Sequence, residues 1–344
     1  MDDTGIGEAD RRGRDGLTDA LGVVVLVCSA SWALIAAAGR SARPEGVLLA
    51  VLAVAAGYAA GRIGGSLLPV AAPALTALAV VGLAVALPGR LEGGSHTPPL
   101  GYANADAALL VLATGAACCA AWAAGSPALR LGLRLLGAGA AVLALAIGSA
   151  AGFAASVGVV LCSLAAARTP RVLGLAGLAL ATAVAVGGTY AMAVDALPSG
   201  LSASVSGQLT PGRVALWREA VRLAEGHPLR GVGPGQFAEV SQAEPVTTAG
   251  AVGPAGTLRS APLQLAAEEG IPGVVLLAAA YAWVLWALRR SPRPTPVVLT
   301  AGAALTGLAL QASVDHILGF SAVTAVTGLL AGLATARPDR TEHP

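Results

Sequence analysis

Lysine is absent: all 21 basic residues are arginine. Charge of either sign is scarce, at 12% of the 344 residues, and aromatics make up only 3%. A soluble domain carries roughly 25% charged residues, so a surface wetted on all sides is excluded. Few aromatics, and no basic run interleaved with them, argue against a nucleic-acid partner. With alanine and glycine so frequent, the all-arginine usage reads as compositional bias rather than as function. Cysteine is rare too. Cys28, Cys118, Cys119 and Cys162 fall inside apolar runs without metal-ligand spacing, so neither a disulfide framework nor a metal centre is expected.

What is present is apolar sequence in long runs. About 20 mostly apolar residues cross a bilayer, and about ten such runs are legible: 18–39, 45–61, 67–87, 105–124, 133–150, 152–167, 172–191, 271–288, 296–313 and 317–335. The expected fold class is therefore all-α, a polytopic helical membrane bundle with one large extracytoplasmic loop containing a short helix. The domain reading runs in five parts. Residues 1–16 are a disordered cytoplasmic tail, and 17–191 a membrane domain of about seven helices. Residues 192–262 are the extracytoplasmic loop, 263–335 a second membrane part of about three helices, and 336–344 a cytoplasmic tail. The first run follows arginines as a signal sequence would, but it is long for one and reads as a retained helix. Arginine asymmetry sets orientation. With the N-terminus in the cytoplasm, Arg62, Arg130, Arg134, Arg168, Arg171, Arg289, Arg290, Arg293 and Arg337 fall inside, while short outer loops keep Arg40, Arg43 and Arg90. Both termini are then cytoplasmic. No Asp, Glu or His lies deep within the spans of 105–191, which argues against an ion-coupled transporter.

The polar chemistry collects in Pro211–Gly273. Thr210 and Pro211 give a helix start, and the helix runs to about Glu225. A 3.6-residue wheel puts Arg213, Leu216, Trp217, Ala220 and Leu223 on one face, and Arg218, Arg222, Val214 and Val221 on the other. Arg213, a guanidinium on a packing face, needs an anion or several acceptors. Gly231, Gly233 and Gly235 lie in GVGPGQF, where glycines allow positive φ and close backbone approach; the spacing is not the dinucleotide fingerprint. Arg259 and Ser260 stand at the mouth of a helix that enters the membrane, with Glu268 and Glu269 ahead of Gly270 and Gly273. In lipid those carboxylates would be costly, so they should face protein or a wet cavity. Asp315 and His316 form an acid–imidazole pair between the last two spans, where the acid can orient or charge the ring. Asn104 and Asp106 open the fourth span, either as helix caps or, for Asn104, as a substrate contact. His96 reads as an exposed loop histidine.

The order GYANADA, then RVALW and PLRGVGPGQF in a large loop, then LQLAAEEGIPG, then VDHILGF resembles the O-antigen ligase and O-antigen polymerase superfamily of bacterial membrane type C glycosyltransferase-like proteins. The resemblance is specific over about 211–273 and architectural elsewhere. It implies a multi-pass enzyme of the bacterial cytoplasmic membrane in polysaccharide and cell-envelope biosynthesis. Without cofactor or metal, such an enzyme moves a glycan from a polyprenyl-diphosphate (undecaprenyl diphosphate) carrier to an acceptor hydroxyl at the outer face. Its partners are the lipid-linked glycan, the glycan or glycolipid acceptor, and the bilayer. The family motif of His, then Asn, Ser or Gln, nine residues, and Gly-x-x-Gly matches Ser260 and Gly270–Gly273, with Arg259 where the His is usual. The Arg-x-x-x-Leu motif falls on Arg213, with Trp217 in place of Leu. The implied roles are diphosphate and substrate binding by Arg213, Arg259, Ser260, Gly231, Gly233, Gly235 and Asn104. Arginine forks suit phosphate oxygens, but a guanidinium does not lose its proton. A base would then be Asp315, His316 or a carboxylate such as Glu268. Two other readings stand beside this one: a catalytically degenerate member that binds polyprenyl-linked glycan or a partner enzyme, and a transporter of the same lipid.

Overall fold

The computed structural model describes residues 3–86, 102–196, 211–241 and 258–337. Among these the chain is all-helical. The helices are α1 (Asp3–Ala37), α2 (Glu45–Leu67), α3 (Ala71–Ala86), α4 (Ala103–Ala123), α5 (Pro127–Ala146), α6 (Ala150–Ala165) and α7 (Arg171–Ala193), followed by α8 (Pro211–Gly226), α9 (Phe237–Val240), α10 (Ala261–Arg290), α11 (Thr295–Val314) and α12 (Ser321–Thr335). A single 3₁₀ turn, Ile317–Gly319, joins the last two. Seven of the helices are long and apolar enough to cross a membrane, and α3, α6 and α12 are shorter apolar helices. Together they account for the ten apolar runs, and the chain is a polytopic helical membrane protein. His96 and Arg90 lie outside the described residues.

At the N-terminus, α1 begins at Asp3 and runs without a break into the first span. It holds no proline, and extending an existing helix needs no new nucleus.

Burial is uneven, and composition explains it. Of the span windows of α4 and α11, 94% and 83% are buried, against 11% in α2 and α7. A helix apolar all round belongs in the middle of a bundle, and the small side chains of α4, from Ala105 to Ala121, let neighbours close on every side. The outer helices turn leucine and valine outward, including Leu52, Leu131, Leu173 and Val184, as a lipid-facing surface requires. The connection between α5 and α6 is only three residues, because Gly148 takes φ 90° and Ser149 caps α6 by accepting from Gly152 N.

The closest helix pair is α2 with α12. A Cβ on Gly57 would stand 2.1 Å from the Ala325 carbonyl oxygen, and one on Gly61 would stand 2.2 Å from that of Leu329. Gly328 and Gly332 repeat the relation toward Val54 and Tyr58 at 2.2 Å each. Small residues at fourfold spacing drive this approach where lipid supplies no hydrophobic force. We expect Gly61→Ala to lower stability by roughly 1–3 kcal/mol, the usual scale of overpacking. Gly82→Ala, which meets nothing within 4 Å, should be neutral. Thermal melts in detergent micelles compare the two, and equal melting temperatures would refute the close-packing account.

Helices alternate in direction, so the two ends of the bundle differ in chemistry. At one end arginines bond the carbonyls of helix C-termini and connections: Arg62 to Thr335 O, Arg130 to Ala124 O, Arg171 to Ser291 O at 2.7 Å, and Arg293 to Ala336 O at 3.0 Å. Cations there complement the negative end of the helix dipole. The opposite end carries the α1–α2 connection, α8, α9 and the Asp315–His316 turn. The arginine excess predicts that the first end is cytoplasmic. In a background without the four native cysteines, Ala238→Cys should react with an impermeant thiol reagent on intact cells and Gly125→Cys should not; both positions are exposed. The reverse pattern would invert the topology.

Candidate functional site

The site is built around a broken turn in α10. Gly270 interrupts the helix with φ 73° and ψ −167°, and Pro272 has no N–H to return to the Glu268 carbonyl. The freed groups find partners elsewhere. Val232 N donates to Ala267 O at 2.8 Å, Gly233 N to Glu268 O at 2.9 Å, and the Trp32 indole to Glu269 O at 3.0 Å; Ile271 N donates to Pro228 O at 2.8 Å. Three of these four bonds come from the PLRGVGPGQF segment. A Cβ on Gly231 would lie 2.3 Å from the Glu268 carbonyl carbon, and one on Gly270 would lie 2.6 Å from Pro228 O. The two glycines are the contact between loop and kink. Gly273 lies against Glu269, whose Cβ would be 2.6 Å from an added methyl. Both glycines of the Gly-x-x-Gly pair thus have a packing reason.

Gly233 and Gly235 face the α1–α2 connection. A Cβ on Gly233 would meet Ala42 at 3.1 Å, and one on Gly235 would meet Arg43 at 3.2 Å. Arg40 donates to Gly231 O, Arg43 N to Pro234 O, and Gln236 to Ser41 O. Arg43 also pairs with Glu239 at 2.6 Å. All three loop glycines named from the sequence therefore sit against protein.

On α8, Trp217 is 1% exposed and packs with Ala220, Leu223, Phe237, Leu258 and Leu263. Val221, assigned to the polar face by the wheel, is buried with them, because α8 packs against both α7 and α10 and so buries a wider arc than one seam. Arg218 and Arg222 are exposed and paired with Asp195 and Glu219. The Trp217 indole donates to the carbonyl of Arg259 at 3.0 Å. The residue at the family's Leu position thereby holds the residue at its His position. Two polar atoms of this region are buried without a partner among the described residues: Nε of Arg213 and Oγ of Ser260. Ser260 is the N-cap residue of α10, yet its hydroxyl makes no capping bond.

The acid–imidazole turn joins this region. Asp315 is buried, and its carboxylate accepts from the Tyr102 hydroxyl (2.6 and 2.7 Å), Asn104 Nδ2 (2.6 Å) and His316 N (2.7 Å). Asn104 is not a helix cap: its Oδ1 accepts from Ser149 and its amide faces Asp315, while the N-cap residue, Tyr102, makes no side-chain cap bond. Its place inside the first turn explains this, since a cap must precede the helix. His316 Nδ1 lies 2.7 Å from Gln264 Oε1, and Gln264 Nε2 reaches Glu268 Oε2 at 3.4 Å. Glu268 also accepts from Phe237 N at 3.4 Å. The buried carboxylate thus faces protein, as lipid energetics demanded.

The electrostatics tie Arg259 to the same cluster. Burial first, then the bond to Asp315 and its charge, pushes the Tyr102 phenol up to about 12, while the Asn104 bond and the Arg259 charge act in the opposite direction. Of the residues named from the sequence, Asn104, Asp315, His316 and Glu268 form one connected network. No side-chain hydrogen bond or ion pair joins Arg259 to this network among the described residues; its charge acts to lower the Tyr102 phenol. Arg213 makes no bond to this network. Sequence reading missed Tyr102 and Gln264. Tyr102 stands beside Asn104 in GYANADA, and Gln264 lies one helical turn before Glu268, a spacing that puts two side chains on one face.

A family model described as O-antigen ligase matches residues 132–278. The match runs from α5 through α8 and the PLRGVGPGQF loop into α10, and so takes in Arg213, Arg259, Ser260 and Glu268. No curated protein matches the chain.

Burial pushes the His316 imidazole below its ordinary 6.5, against the raising charge of Asp315. The unfolded chain then binds more protons between the lowered value and 6.5, so stability rises with pH through that window. The contribution of His316 to the melting temperature should grow as pH rises toward 6.5, so the difference between wild type and His316→Gln should increase over that range. An unchanged slope in the variant would show that this imidazole does not titrate as described.

Proposed function

With an O-antigen ligase family domain at residues 132–278, we propose that the protein is an integral membrane glycosyltransferase. It moves a glycan from a polyprenyl-diphosphate carrier to an acceptor hydroxyl at the outer face of a bacterial cytoplasmic membrane. The observation that carries this reading is the convergence of His316, Asp315, Asn104 and Glu268 with the electrostatic reach of Arg259, at the end of the bundle that holds the family's motif.

The acceptor oxygen attacks the anomeric carbon, the bond from that carbon to the diphosphate oxygen breaks, and the diphosphate leaves with the electron pair. Fixed cations favour that departure. Arg259 and Arg213 are suited to it as forked donors, and a buried Nε on Arg213 and a buried Oγ on Ser260 without protein partners are the polar atoms an anionic group would satisfy. Arg259 cannot take the acceptor's proton. Asp315 already accepts from three residues, so it anchors the turn, and His316 takes the proton. Glu268 is engaged by Phe237 and Gln264 and supports the imidazole from behind.

A degenerate, carrier-binding protein is the second reading, and the arginine at position 259 is what favours it. Transfer from a polyprenyl-diphosphate donor in reconstituted membranes separates the two. If the protein is active, Arg259→Ala abolishes transfer and His316→Ala lowers it by roughly 10²–10⁴-fold, the range for a lost general base. Arg213→Lys should retain little activity, because a point charge replaces a fork. Arg218→Lys should be nearly neutral, since its pair with Asp195 is exposed and such pairs contribute about 0–1 kcal/mol. Turnover indifferent to Arg259→Ala would sink the role given to that residue. A wild type that binds donor lipid without transfer would establish the second reading.

A further inference from the structure

Two nitrogens of His316 could serve as base, and they are not equivalent. Nδ1 lies 2.7 Å from the amide oxygen of Gln264. Nε2 makes no hydrogen bond among the described residues. It lies beside Gly319, where an added Cβ would stand 2.4 Å from it. Which nitrogen carries the proton in the neutral ring follows from what stands behind Gln264.

Hydrogen-bond direction along the chain of groups is set by the carboxylate form of Glu268. The backbone N–H of Phe237 donates to Glu268, and an ionised carboxylate only accepts. Toward a carboxylate Glu268, Gln264 turns its NH₂, with Nε2 3.4 Å from Oε2. That leaves the amide oxygen, also an acceptor only, facing the ring. Nδ1 must then carry the hydrogen, and the lone pair sits on Nε2. Such an outer partner fixes both tautomer and ring orientation of an imidazole. Gln264 and Glu268 lie on one face of α10, one turn apart. Phe237 begins α9 at the end of the glycine loop, so the loop supplies the first donor of the series.

We propose that Gln264 is a positioning residue that holds His316 as the Nδ1–H tautomer, with Glu268 fixing the sense of the Gln264 amide, so that Nε2 is the proton-accepting atom. The inference rests on the transferase reading for its catalytic meaning. Its structural content, the tautomer, can be measured without turnover. Gly319 belongs to the same device: the ring edge that bears Nε2 is approached where a side chain would collide.

The test uses the full chain, labelled with ¹⁵N-histidine, in lipid nanodiscs at neutral pH, with His316→Asn identifying the His316 signals. Wild type should show a protonated Nδ1 and an unprotonated Nε2. Gln264→Met, close in size but without an acceptor, should give mixed tautomers. Gln264→Glu, which keeps an oxygen toward the ring, should restore the wild-type pattern. In transfer assays Gln264→Met should lower kcat, by roughly the 10–100-fold that losing the outer partner of a metal-bound imidazole costs, with KM for the donor unchanged. A wild-type Nε2–H tautomer, or a Gln264→Met spectrum identical to wild type, would overturn the proposal. Equal effects on kcat and KM with the Gln264→Glu variant unrescued would also overturn it, as the mark of a merely structural residue. An inactive wild type with the expected spectra would remove the transferase reading and leave the tautomer assignment standing.

Discussion

A helix that breaks within an apolar bundle must place its freed backbone groups, since a buried carbonyl without a donor costs roughly 1–3 kcal/mol. In this protein the turn at Ala267–Ile271 meets that demand by drawing in the PLRGVGPGQF loop, which donates to two carbonyls and accepts from one N–H, and the Trp32 indole, which takes a third carbonyl. Position follows from that demand. Once the loop is seated, Phe237 stands over Glu268, Arg40 and Arg43 are bound to the loop, and α1 is held against α10. The kink is therefore the point from which the polar groups of this end take their places.

The fold was legible because its signal is additive. Ten apolar runs, each near the length of a span, do not depend on any single residue, and the structure returns ten apolar helices. In the site, chemistry was easier to read than partnership. Asp315, His316, Glu268 and Asn104 were visible as polar residues in an apolar context, yet the partners of Asn104 were not: capping depends on local sequence, while its bonds to Asp315 and Ser149 span 211 and 45 residues. Tyr102 and Gln264 were overlooked for the same reason: their meaning comes from Asp315 and His316, residues distant in the chain. Val221 shows the wheel's limit, since a helix covered on two sides buries more than one stripe.

The two departures from the family's pattern meet in space. Trp217 stands where Leu is usual, and Arg259 stands where His is usual. The indole of the first donates to the carbonyl of the second. A leucine could not make that bond, and a backbone carbonyl at the mouth of α10 needs a donor if it is to be covered by the Trp217 cluster. The tryptophan thus fixes the main chain of Arg259 from one side. An arginine at this place adds a permanent cation and removes a titratable ring. If proton transfer is still required, it must move to another imidazole, and among the described residues His316 is the one joined to the same network of buried acids and amides. The arginine at position 259 and the seating of His316 by Gln264, with Glu268 behind it, thus lie on two elements of the bundle, the mouth of α10 and the turn after α11.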